Sequence, residues 1–141
     1  MRVKEDDTVD ALPFDMNKDP IIIEDRDFAY FYRELCENTN AFDGRKVSFK
    51  ALVGKDGSLG ENGYIVGRRI MQCCAADIQF YGVVGLSNGL ISFENNRWYN
   101  ITGKIEIKYH PLYKRKGPIM QIISGEETIP LPDNEAVATF Y

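Results

Sequence analysis

The apolar positions change period along this chain, and the changes divide it into elements. Residues 1–20, MRVKEDDTVDALPFDMNKDP, hold no sustained period and mix acids with two prolines. That pattern predicts a mobile acidic lead or linker closed by Pro20. A β-branched run beside turn formers, IIIED (21–25), then predicts a short buried strand. Asp27 stands as an N-cap before FAYFYRELCEN, in which Phe28, Phe31, Tyr32, Leu35 and Cys36 recur at i, i+3, i+4, i+7 and i+8. The spacing predicts an amphipathic helix over 27–38 with Cys36 as a packing residue on its apolar face.

From Gly44 the period is two. KVSFKALVG sets Val47, Phe49, Ala51 and Val53 against Lys46, Ser48 and Lys50, the alternation of a half-buried strand. The glycine-rich connection GKDGSLGENG (54–63) lacks the Gly-Lys-Ser/Thr ending that a phosphate-binding loop needs. YIVGRRIMQ, FYGVVGLS, RWYNITGKIEIKYH and PIMQIISGEETIPL predict four more strands, several with internal glycines where a barrel strand turns a corner. The fold expected is mainly β, an OB-like five-stranded Greek-key barrel over about 44–130. The lead is assigned to 1–20 and a single domain to 21–141, in which 21–43 supplies an N-terminal strand and the helix and 44–141 the barrel.

Length changes this picture little, since 141 residues suit one domain. No apolar run approaches the roughly 20 residues of a membrane-spanning helix, and no signal-peptide layout opens the chain. Charge adds more. The net of −4 divides into −7 over residues 1–43, +7 over 44–125 and −4 over 126–141. The barrel region is thus basic within an acidic protein and could meet an anionic partner, against the alternative of an acidic lead that merely solubilises a basic domain. Three cysteines without framework spacing argue against a disulfide scaffold. A single histidine and no suggestively spaced pair of carboxylates point away from an enzyme.

Two stretches carry candidate chemistry. In GRRIMQCCAADIQFYG (67–82), Cys73 and Cys74 are neighbours, and on a regular strand neighbours face opposite sides. They share a ligand only if the strand ends at Gln72 and the chain turns. If the turn is helical, its amide dipoles would lower a thiol pKa. Cys73, Cys74 and Asp77 would then offer two sulfurs and an oxygen to Zn²⁺ or another thiophilic ion, with His110 a candidate fourth ligand. The bland alternative is one buried cysteine beside a half-exposed one, with no chemistry. In KIEIKYHPLYKRK (104–116), Lys108, Tyr109, Tyr113, Lys114, Arg115 and Lys116 interleave charge with aromatic rings. With Arg68 and Arg69 they form a candidate anion or partner surface, for single-stranded nucleic acid or an anionic membrane surface, against the alternative of a solvated loop.

The run VGRRIMQCCAADIQFYGVV, followed by WYNITGKI with Trp98 and Gly103, resembles the YcgQ-like family of uncharacterised bacterial membrane proteins, which carry domain of unknown function 1980. The likeness covers roughly residues 44–141, and its most specific part is the Cys-Cys-x-Ala-Asp run at 73–77. Members of that family carry membrane helices ahead of this domain and resemble accessory partners of a predicted permease. The resemblance implies a non-catalytic accessory domain in the cell envelope, with a permease subunit as partner and the cysteine motif as its site. A nucleic-acid-binding OB module using residues 104–116 is the competing reading.

Overall fold

The period-two segments become the strands of a barrel, and its order around the ring can be read from their pairings. The computed structural model describes residues 12–89 and 91–140. In chain order the elements are β1 (Ile21–Ile22), α1 (Phe28–Glu37), β2 (Lys46–Lys55), β3 (Gly63–Met71), β4 (Gln79–Leu86), β5 (Arg97–His110), β6 (Arg115–Glu127), a short α2 (Asp133–Ala136) and β7 (Val137–Thr139). Antiparallel pairing joins β2 to β3, β3 to β4, β6 to β5 and β5 back to β2. A parallel pairing of β4 with β6 closes the ring, which is the OB-like Greek-key order. Two further strands extend the sheet, β1 parallel to β2 and β7 parallel to β3.

Side chains fill this ring as the alternation predicts. Val47, Phe49, Ala51 and Val53 of β2 are buried with Val66, Val83, Ile101, Ile105, Met120 and Ile122 from the other strands. Phe28, Phe31 and Leu35 of α1 are buried against them, with Phe28 and Phe31 ring centroids 5.5 and 5.4 Å from that of Phe49. Two strands approach too closely for any side chain at Gly67, where an added Cβ would overlap the Tyr81 carbonyl. At Gly103, beside the register shift in the β5–β6 ladder, a Cβ would press on Met120 and the Gln121 carbonyl.

Several local expectations change. Cys36 is exposed rather than in the core: Phe28, Phe31 and Leu35 define the buried face, and the next residue rotates about 100° away from it. Asp27 occupies the N-cap position, yet its side chain makes no capping bond there. Of the lead expected over 1–20, residues 1–11 lie outside the described residues. Residues 12–20 pack on the domain rather than trail from it: Phe14 is buried edge-on to Phe31, and Arg45 donates to the Met16 and Lys18 carbonyls. The connection between the fourth and fifth barrel strands shortens to a turn, because the fifth begins at Arg115 opposite His110 and not at Pro118.

The largest correction is Arg68. The β2–β3 ladder covers only Leu52–Lys55 against Tyr64–Gly67, and Arg68 is the first residue past its end. Arg68 is 1% exposed, so it forms no part of a partner surface. Its Nε donates to the Lys50 carbonyl at 3.1 Å and its Nη1 to the Asp25 carbonyl at 3.0 Å, while Nη2 pairs with the Asp25 carboxylate. The guanidinium carbon lies 5.4 Å from the Trp98 ring centroid and 5.6 Å from that of Phe28. Where the backbone ladder stops, this side chain supplies the bonds across the seam. Truncation by Arg68→Ala removes that packing and the hydrogen bonds to Lys50 and Asp25, which is expected to cost about 3 kcal/mol. Asp25→Asn is expected to cost less than about 1 kcal/mol, because the Asp25 side chain is 43% exposed and its charge is screened. Urea unfolding checks both, and a cost under about 1 kcal/mol for Arg68→Ala would contradict this role.

Candidate functional site

Strand β3 ends at Met71, a 3-10 turn spans Ala75–Asp77, and β4 begins at Gln79. The chain therefore leaves the strand where a shared role for the two cysteines requires. One carboxylate organises the turn. Asp77 Oδ1 accepts from the Gln72 amide at 2.8 Å. Its Oδ2 accepts from the Cys73 amide at 2.8 Å, the Cys74 amide at 3.4 Å and the Cys73 Sγ at 2.9 Å. In return the Asp77 amide donates to the Cys74 carbonyl at 3.0 Å, and the Cys74 side chain takes part in a capping box with Asp77.

These bonds set the acidities. The hydrogen bond from the Cys73 thiol, then those from the Gln72 and Cys73 amides, hold the Asp77 carboxyl well below its usual range, at about 2. The same contact pushes the Cys73 thiol up: its bond to Asp77 favours the protonated form, with the Cys74 bond and the Asp77 charge acting the same way. This reverses the expected lowering. A turn of three residues builds little dipole, and the nearest charge to the sulfur is an anion. Loss of water around the Cys36 sulfur raises that thiol as well, opposed by its hydrogen bond with Tyr32.

Cys73 Sγ, Cys74 Sγ and an Asp77 carboxylate oxygen all lie within 4.8 Å of one another, and both cysteines are exposed. Cys73, Cys74 and Asp77 would hold a thiophilic cation through two sulfurs and a carboxylate oxygen, with loss of the thiol protons. Three protein ligands leave one tetrahedral position open. His110 is not part of this group. It lies at the end of β5, where its Nδ1 accepts from the Leu112 amide at 3.1 Å and its ring centroid is 5.9 Å from that of Tyr113.

The other candidate residues separate. Arg69 is exposed on β3 opposite Phe80 of β4. Lys108, Tyr109, Lys114, Arg115 and Lys116 are exposed around the tip of the β5–β6 hairpin. Tyr113 belongs to the frame and not to that surface, since its hydroxyl donates to the Pro118 carbonyl at 2.6 Å and accepts from the Val84 amide at 2.9 Å. An open cleft of about 780 Å³ between β1 and β7, lined by Ile22, Asp25, Ser48, Lys50, Asn100 and Thr139, had no signal in the sequence. Residues 22–26 and 135–139, far apart in sequence, meet only in the fold.

Removing the anion beside Cys73 should free its thiolate. Asp77→Asn is expected to speed alkylation of Cys73 in native protein at neutral pH, with Cys36 unchanged. Mass-resolved alkylation kinetics check this. An equal or slower Cys73 rate in the variant would show that the carboxylate does not govern the thiol.

A family model described as the DUF1980 C-terminal domain matches residues 3–137. No curated protein and no solved structure matches the chain. The matched span takes in the whole barrel and the Cys73–Asp77 turn, and the chain belongs to the DUF1980 C-terminal domain family.

Proposed function

We propose that this domain captures a thiophilic divalent cation at Cys73, Cys74 and Asp77, as a non-catalytic accessory domain of an envelope permease-like system. The observation that carries the reading is the convergence of two sulfurs and a carboxylate oxygen within 4.8 Å on an exposed turn. The amides of Gln72, Cys73 and Cys74 fix the carboxylate before any ion arrives, so little order remains to be imposed on binding. Sulfur ligands select Zn²⁺ or a softer ion over Mg²⁺ or Ca²⁺. The open position suits exchange with another ligand set rather than permanent structural holding. The permease setting rests on the resemblance of the 67–82 run to the YcgQ-like family and supplies context for such exchange.

Titration of reduced, chelator-treated protein with Co²⁺, followed by Zn²⁺ displacement, tests the reading. One equivalent should bind with a thiolate charge-transfer band. Cys73→Ser or Cys74→Ser should each weaken binding by roughly a hundredfold or more, beyond the loss typical of an outer-shell change. Affinity should fall as pH falls, because the proton on Cys73, held by the raised pKa, must leave for the ion to enter. Equal Co²⁺ affinity in the wild type and the doubly substituted protein would overturn the proposal.

A further inference from the structure

The β5–β6 hairpin tip lies outside the cation site and presents an unusual surface. Tyr109 is 62% exposed and Leu112 47% exposed. Tyr109 stands opposite Lys116 and His110 opposite Arg115, with Lys114 in the turn between them. The nearest acid on the hairpin, Glu106, pairs with Lys108 at 2.9 Å. Among the described residues no ion pair holds Lys114, Arg115 or Lys116. The tip is also held rigid: Tyr113 ties it to Val84 and Pro118, and the amides of Tyr113 and Lys114 both donate to the His110 carbonyl.

We infer that this tip docks on an anionic membrane surface, with Leu112 and Tyr109 at headgroup depth and Lys114, Arg115 and Lys116 among the phosphates. The protein is acidic overall, so attraction must be local. Glu126 and Glu127 sit at the opposite end of the ladder, paired with Asn100 and Tyr99. That is about ten residues and roughly 33 Å along the strand, several times the Debye length of about 8 Å at physiological salt. The repulsion between those acids and an anionic bilayer is therefore screened while the tip is in contact. Leu112 separates this occupant from nucleic acid. An exposed aliphatic side chain at the apex gains from leaving water for the acyl boundary and has no partner on a phosphate backbone. A single-strand site would instead need successive free aromatic faces, and here Tyr113 is committed to the frame.

Co-sedimentation with vesicles of phosphatidylcholine alone, or of phosphatidylcholine with phosphatidylserine, tests the inference. Binding should require phosphatidylserine and weaken with salt. Each cation near such a surface is worth roughly fivefold in partitioning, so Arg115→Glu with Lys116→Glu should weaken it by at least about 25-fold. Leu112→Ser should weaken it several-fold while leaving the salt dependence in place. Both sets of substitutions lie on exposed positions, and unchanged thermal melting confirms their fold. No phosphatidylserine-dependent sedimentation, or binding indifferent to both variants, overturns the inference. So does hairpin-dependent binding of a single-stranded oligonucleotide by protein that ignores the vesicles.

Discussion

The seam between β2 and β3 is held by a guanidinium placed where the backbone ladder runs out. Four residue pairs join β2 to β3, and then the strands part. Arg68 reaches across the opening to the Lys50 carbonyl and takes the Asp25 carbonyl and carboxylate as well. One side chain thus joins β3, β2 and the turn that leads into α1. Burial of a guanidinium is tolerable here because three of its donors are satisfied and two rings lie against it. With the seam held, β3 runs on to Met71, where β7 pairs with it and the cysteine turn begins.

The turn that follows uses a single carboxylate for two purposes. Asp77 collects three backbone amides and so shapes the chain where the strand stops. It also accepts the hydrogen bond of the Cys73 thiol, which favours the protonated form of that sulfur. A cation that binds two sulfurs reverses this balance, since the anion that disfavoured the thiolate then neutralises the ion. The geometry that favours the thiol form of Cys73 also brings together the donors that a soft cation would take.

Much of the architecture is legible in the chain because burial on one face imposes a period. Val47, Phe49, Ala51 and Val53 mark a strand, and Phe28, Phe31 and Leu35 mark a helix. A strand end at Gln72 was expected as the condition for a shared role of the two cysteines, and β3 ends one residue earlier, at Met71. Properties set by the third dimension were not legible. Alternation along β3 places Arg68 inside with Val66 and Ile70 and Arg69 outside, but the pairing of Arg68 with distant Asp25 has no mark in the sequence. Cys36 falls one residue beyond the apolar face, a distinction that a five-residue periodic match does not resolve. The direction of the Cys73 shift depends on which atom lies beside its sulfur. His110 is placed by hairpin length, and Tyr113 is withdrawn from the surface by contacts with distant Val84.

X-ray absorption spectroscopy of the Zn²⁺-loaded protein addresses the central claim most directly, because it reports the atoms around the ion. The account predicts two sulfur ligands at about 2.3 Å and a carboxylate oxygen at about 2.0–2.2 Å, with the remaining position filled by a light atom. A shell of nitrogen and oxygen alone, or one unchanged when both cysteines are replaced by serine, would contradict it.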